Sequence, residues 1–405
     1  MHRRLTPLER VMWTLGLSSP VTVAAVAHIR GRCSPDRLRE AIGAVRQRHA
    51  MLNVRVSAAG PMKALLVDGP PPEFRVVPGP WTAVVEREVE EPFDGPLTRF
   101  VMIETETGFD LVMVSHHLVS DGLGMAFVLR DVVAHLADPF LPRTVVEAPT
   151  LDALVRAMPR PKRLRPFRQA GSAWPVRPRP ADQSADRSAD RFALVTAAFG
   201  APESALLQER CRTEQTTVHA ALGMASLLAV AELDGITTRQ LYSPVNLRPL
   251  LPALPSGALG QYAAEFFTWV DVTAEQDFWT AARRLRETLR DQTRPERLIR
   301  AMRLLRLSGL VPNTVMRRLL RVSCKPGSSL TLSNLGRLPF PTGHGEFQIE
   351  SVHAAVNMGT LTNGLLAAVT VDGQIFLSLS TRAADRPRAE QLVKGTIGRL
   401  QDALH

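Results

Sequence analysis

Two rhythms of apolar residues alternate along the chain, one with the period of a helix and one with the period of a strand. After Ser34-Pro35, a cap followed by a first-turn proline, Leu38, Ala41, Ile42 and Val45 share one face of a 3.6-residue repeat. That spacing predicts a helix running to His49. Leu52, Val54 and Val56 then alternate as a half-buried strand does, and Phe100 to Thr105 followed by Leu111 to Ser115 predicts a strand pair turning at Gly108. The second strand is apolar at nearly every position, which marks it as central, and it runs directly into His116. Past Gly122 the pattern becomes helical from Met125 to Leu136. The same vocabulary returns later: a buried helix from Thr217, a strand around Leu241, a basic amphipathic helix over 278–290, and strands over 329–333 and 367–380. Helices and strands mixed without regular alternation predict an α+β architecture.

Between Pro159 and Asp190 both rhythms stop. Proline, arginine and small polar residues fill that stretch, which reads as a linker. It divides the chain into 1–158, a linker of 159–190, and 191–405, in keeping with two domains for 405 residues.

Composition removes several functional classes. Apolar and charged residues stand at 45% and 22%, and no apolar run approaches the roughly 18 residues of a membrane span. The stretch Ala220 to Ala231 reads as a buried helix. Glu9 and Ser18-Ser19-Pro20 interrupt any apolar leader after the basic start, so the expected location is the cytoplasm. Cys33, Cys211 and Cys324 are odd in number and unrelated in spacing, which argues against a disulfide framework or a zinc site. The formal charge is +10, yet aromatics are only 5% and no nucleic-acid module is recognisable. The positive charge gathers over 160–179 and 283–325. Each cluster reads either as a solvated face or as a docking surface for an acidic carrier, coenzyme A or an anionic membrane.

The candidate chemistry lies in His116-His117-Leu118-Val119-Ser120-Asp121-Gly122. Adjacent strand residues face opposite ways, so one histidine of the pair can serve a given pocket while the other packs or bonds elsewhere. An imidazole titrates near neutrality and suits proton removal from an alcohol or amine. Asp121 can fix the loop or the ring, and Gly122 permits a close approach. Metal binding is the weaker reading, because strand neighbours seldom converge on one ion and no third ligand stands at helical spacing. A buried, hydrogen-bonded structural pair is the other alternative. Chance would produce this fixed pattern in a chain of this length about once in a thousand.

The motif resembles the HHxxxDG signature of the condensation-domain superfamily, which includes chloramphenicol acetyltransferase, nonribosomal peptide condensation domains and standalone polyketide-associated or alcohol acyltransferases. Five further stretches carry the resemblance over nearly the whole chain. Arg4-Leu5-Thr6-Pro7-Leu8-Glu9 resembles the opening segment, and Arg48-His49 through Arg55 an RHxxLR helix end. Pro92-Phe93-Asp94 with Pro96-Leu97-Thr98-Arg99 resembles the entry to the motif strand. In the second half, Asn246-Leu247-Arg248 resembles an N-x-R element and Ser333-Asn334-Leu335-Gly336 an SNxG element. A plant-type DFGWG element is absent, and Gly336-Arg337-Leu338-Pro339 stands where wax-ester synthases end in PGP.

The resemblance implies two chloramphenicol-acetyltransferase-like subdomains forming a V-shaped pseudo-dimer with a tunnel between them. It implies His117 as base, His116 as support, and a structural Asp121 paired with Arg248. Asn246 and Gly122 support the site, and Ser333 and Asn334 lie near the tunnel as oxyanion candidates. The implied reaction moves an acyl group from acyl-CoA or an acyl-carrier protein to a hydroxyl of a small molecule or lipid. No permanent cofactor, metal or nucleic acid is implied. A monomer is expected, with peripheral membrane contact as an option. Two alternatives are a freestanding amide-forming condensation enzyme and a catalytically silent recruitment module. His219 within Thr217-Val218-His219-Ala220 reads as a satisfied core or cleft residue, not a second base.

Overall fold

The computed structural model describes residues 2–17, 19–58, 64–142, 144–159, 191–235, 238–272, 277–307, 311, 315, 329–358 and 364–405. The expected linker, apart from Pro159, lies outside these residues, as does Cys324 and much of the second basic cluster.

The motif strand, Gly108–His116, is buried at every position. Its alternation shows why. Phe109, Leu111 and Met113 face a core shared with helices Pro35–Arg48 and Gly122–Ala137, while Val112 and Val114 face Val84, Val85 and Leu194 on the other side. Burial on both faces leaves no position for a polar residue except where one is bonded. Gly108, at the expected turn, is required by close approach: a Cβ there would stand 2.0 Å from the Ile29 carbonyl oxygen.

This strand belongs to a six-stranded sheet ordered Gly343–His344, Phe347–Asn357, Thr22–Arg30, Gly108–His116, Thr98–Glu104 and Glu73–Val76. A second six-stranded sheet runs Ala263–Asp271, Thr238–Asn246, Ser329–Arg337, Leu365–Val371, Gln374–Arg382 and Phe192–Phe199. Each joins parallel and antiparallel pairs, as a mixed α+β architecture does. The apolar stretch 367–380 is a hairpin, broken at Asp372 and Gly373, both at positive φ. Helix Val218–Asp234 is capped by Thr217 and ended by Gly235 in the left-handed conformation.

Sheet membership does not follow chain order. Strand Phe347–Asn357, from the 191–405 segment, pairs antiparallel with Thr22–Arg30 of the first sheet over Gln348 to Asn357. The earlier part of the same segment stays in the second sheet.

Three of the short stretches quoted above are fasteners. Thr6 and Glu9 form a reciprocal capping box, with Glu9 also held by Arg3. Arg48 and His49 both bond the Asp131 carboxylate, at 3.0 and 2.8 Å, tying one core helix to the other. Arg99 is buried against the Glu88 carboxylate at 3.0 Å and the Pro92 carbonyl at 3.2 Å, with its guanidinium over the Phe93 ring.

No single helix among the described residues is long and apolar enough to cross a membrane.

Candidate active site

Beyond His116 the chain leaves the strand in a turn and re-enters a helix at Gly122. The two histidines part company there. His116 is 7% exposed, and its Nδ1 accepts the Leu118 amide at 3.2 Å. Desolvation, with His117 beside it, pushes its pKa down to about 3, so it stays neutral. An accepting Nδ1 places the ring proton on Nε2.

His117 has the opposite tautomer. Its Nδ1 stands 2.8 Å from the Ser120 carbonyl oxygen, which can only accept. Nδ1 therefore carries the proton and Nε2 holds the free lone pair. The ring is partly exposed, unlike that of His116. The Gln261 side-chain amide lies 3.4 Å from the same Nδ1, and its Oε1 is buried without a partner. Turned end for end, that amide would bring Oε1 to the Nδ1–H and join Ser120 in holding the ring. Gln261 had no motif to reveal it in the sequence. Its one signal is that it directly precedes Tyr262, whose amide bonds the motif aspartate.

Asp121 holds this loop to the second half of the molecule. Its Oδ2 accepts Arg248 Nη1 at 2.8 Å and its Oδ1 accepts Arg248 Nη2 at 2.9 Å. Oδ1 also caps the following helix through the Gly124 amide, and Oδ2 accepts the Tyr262 amide, each at 2.8 Å. Four donors engage the carboxylate, two on each oxygen. The Asp121 amide in turn donates to the Gly260 carbonyl. Asn246 supports Arg248 at one remove: its Oδ1 accepts the Arg248 amide at 3.0 Å. Gly124 leaves little room for a side chain: a Cβ would stand 3.2 Å from Asp121 Oδ1 and 3.3 Å from Arg248 Nη2, and the ion pair would have to give by a few tenths of an ångström.

The Ser333 to Gly336 segment passes beside the same loop, with Leu335 3.1 Å from where a Gly122 Cβ would be. Asn334 Oδ1 accepts the Gly336 amide at 2.8 Å across a strand irregularity, with Gly336 at φ +70°. His219 shares no hydrogen bond with this group among the described residues. It bonds Ser243 Oγ at 3.1 Å, and desolvation lowers its pKa to about 4.

Arg303 and Arg306, within the basic cluster considered for docking, are used internally. Arg303 Nη2 donates to the Val155 and Met158 carbonyls at 3.3 and 2.7 Å, and Arg306 pairs with Asp152 at 3.2 Å. These contacts fasten helix Pro295–Leu305 to helix Leu151–Ala157. The 160–179 cluster lies outside the described residues.

Two mixed sheets joined by a crossing strand, with a His-His-x-x-x-Asp-Gly loop tied across them, define a chloramphenicol-acetyltransferase-like fold. No protein-family model matches the chain. Its sequence is 29% identical over 140 residues to nonribosomal peptide synthetase inpA of Emericella nidulans, an alignment covering 34% of this chain and 9% of the synthetase. The chain thus matches less than a tenth of that relative's length. Trichothecene 15-O-acetyltransferase from Fusarium sporotrichioides superimposes with a TM-score of 0.70 at 12% identity, covering 100% of this chain and 95% of the other. The first condensation domain of the calcium-dependent antibiotic synthetase gives 0.70 at 13% identity, covering 100% and 97%. The fold is therefore the one these proteins share, and about a third of the sequence aligns with a peptide synthetase.

Proposed function

We propose that this chain is an acyltransferase that moves an acyl group from a pantetheine thioester, acyl-CoA or an acyl-carrier protein, to a hydroxyl acceptor, with His117 as general base. The observation that carries the reading is the His117 tautomer: Nδ1–H bonded to Ser120, Nε2 unprotonated, the ring partly exposed. The acceptor oxygen attacks the thioester carbonyl while His117 Nε2 takes its proton. The oxyanion collapses, the carbon–sulfur bond breaks, and the thiolate recovers that proton from the imidazolium. No acyl-enzyme is required. Holding both substrates in one tunnel supplies much of the rate. Ser333 and Asn334 stand as candidate oxyanion donors, each such group contributing about 3 kcal/mol.

Amide formation is the second reading, favoured by the alignment with a peptide synthetase. One experiment addresses both. Purified protein is incubated with a panel of acyl thioesters and alcohol or amine acceptors, and thiol release is followed. Acceptor-dependent release that disappears in His117→Ala is expected. Release without an acceptor, or undiminished in the variant, overturns the mechanism.

A further inference from the structure

His116 is neutral, buried and unlike His117, and its Nε2–H has no hydrogen-bond partner among the described residues. It does not face solid packing. A cavity of about 620 Å³ opens between helix Pro7–Gly16, the start of strand Thr22–Arg30, strand Val54–Ala58 and the 90–97 segment, with His116 in its wall. The ring reaches across the backbone of Gly16, where a Cβ would stand only 2.7 Å from Nε2. The N–H is thus open to the cavity, where a water or a ligand oxygen can accept from it.

The rest of the wall defines what that something is. Trp13, Val21, Val56, Phe93 and Leu97 make it largely apolar, and its volume falls in the range of small-molecule sites. Charge is confined to Arg55, Glu90 and Glu91. The two carboxylates are already engaged, Glu91 by Arg75 and Glu90 by Arg191 and the Phe192 amide. Arg55 is exposed and has no carboxylate partner among the described residues. The net offer to a ligand is an apolar chamber, one cationic group in its wall and one neutral N–H donor.

We propose that this cavity is a binding site for an apolar carboxylate whose chain carries a carbonyl or hydroxyl oxygen. The carboxylate meets Arg55, the chain packs on Trp13 and Phe93, and the chain oxygen accepts from His116 Nε2–H. His117 is not among the residues that line the cavity, and the proposal stands whether or not the chain transfers acyl groups.

Trp13 supplies the measurement. A terminally brominated undecanoate, kept below its micelle concentration, is titrated into the full-length protein and tryptophan fluorescence is followed. Saturable quenching is expected, and it should vanish in Trp13→Phe. Arg55→Ala should weaken the probe about tenfold and Val56→Phe, which fills the chamber, more than that. His117→Ala should leave binding unchanged. Against the brominated probe, at least one of a series of undecanoates with a keto group moved along the chain should compete severalfold better than plain undecanoate, as one added hydrogen bond requires. Quenching that is non-saturable, or indifferent to Trp13→Phe and Arg55→Ala, overturns the site. A keto series no better than undecanoate overturns the role of His116. Arg55 is exposed, so its variant tests the idea even if Val56→Phe misfolds.

Discussion

Asp121 and Arg248, 127 residues apart in sequence, meet in a two-pronged ion pair that is 6% and 13% exposed. Such a pair is worth little as a net gain over apolar packing, but half of it left alone is expensive. Asp121→Asn and Arg248→Ala should each cost about 3–5 kcal/mol, and the double variant less than the sum. Urea unfolding of the four proteins reads the coupling. Additive losses would mean that the contact carries no shared energy.

His117→Ala should lower turnover about a hundred to ten thousandfold while the melting curve stays near wild type. His116→Ala should do the reverse, because its ring fills a wall and receives a backbone bond. Steady-state rates beside thermal melts separate the two. Activity within threefold of wild type in His117→Ala would remove it as the base.

Gln261→Leu should reduce turnover about tenfold, the value of one hydrogen bond to the ring, with little change in KM. Gln261→Glu retains an acceptor oxygen and should restore part of the rate while moving the pH profile. A merely structural residue would change stability without moving that profile.

Acid should destabilise the fold through its desolvated histidines. His116 and His353 are held at about 3 and His219 at about 4, each against an ordinary 6.5. The unfolded chain binds these protons first, so stability is full above about pH 6.5 and falls as pH drops towards the folded values. At pH 5 the loss is roughly 2 kcal/mol per histidine. Urea midpoints at pH 7.5 and 5.0 should differ accordingly, and equal midpoints would contradict the assignment.

Reversing charge in the basic region should split by residue. Arg303→Glu strands carbonyls at the end of helix Leu151–Ala157 and should cost about 1–3 kcal/mol. Arg284, Arg290 and Arg300 are exposed, and any donor docking should respond to them. If reversal there leaves the donor KM unchanged between low and moderate salt, the surface is only solvated.

What the sequence disclosed follows from the range of the forces involved. The helix 35–48, its Ser34 cap and the central motif strand were readable because period and capping are local. The Asp121 to Arg248 pair was reachable through family resemblance alone, since nothing near either residue names its partner. Gln261 stayed hidden because its importance comes from a neighbour 144 positions away. Arg303 and Arg306 looked like free charge until their partners on another helix came into view. The hairpin at Asp372 was read as part of an unbroken stretch because apolar residues stand on both sides of a short turn.

The crossing strand sets an order of events in the life of the chain. Thr22–Arg30 emerges early from the ribosome, yet its partner Phe347–Asn357 is made more than 300 residues later. Until then one edge of the first sheet is bare, with its amides and carbonyls open to any passing strand. So distant a contact is slow to close. A nascent chain halted at the 159–190 stretch would therefore be a sticky intermediate, and the N-terminal part expressed alone should aggregate unless the missing strand is supplied as a peptide.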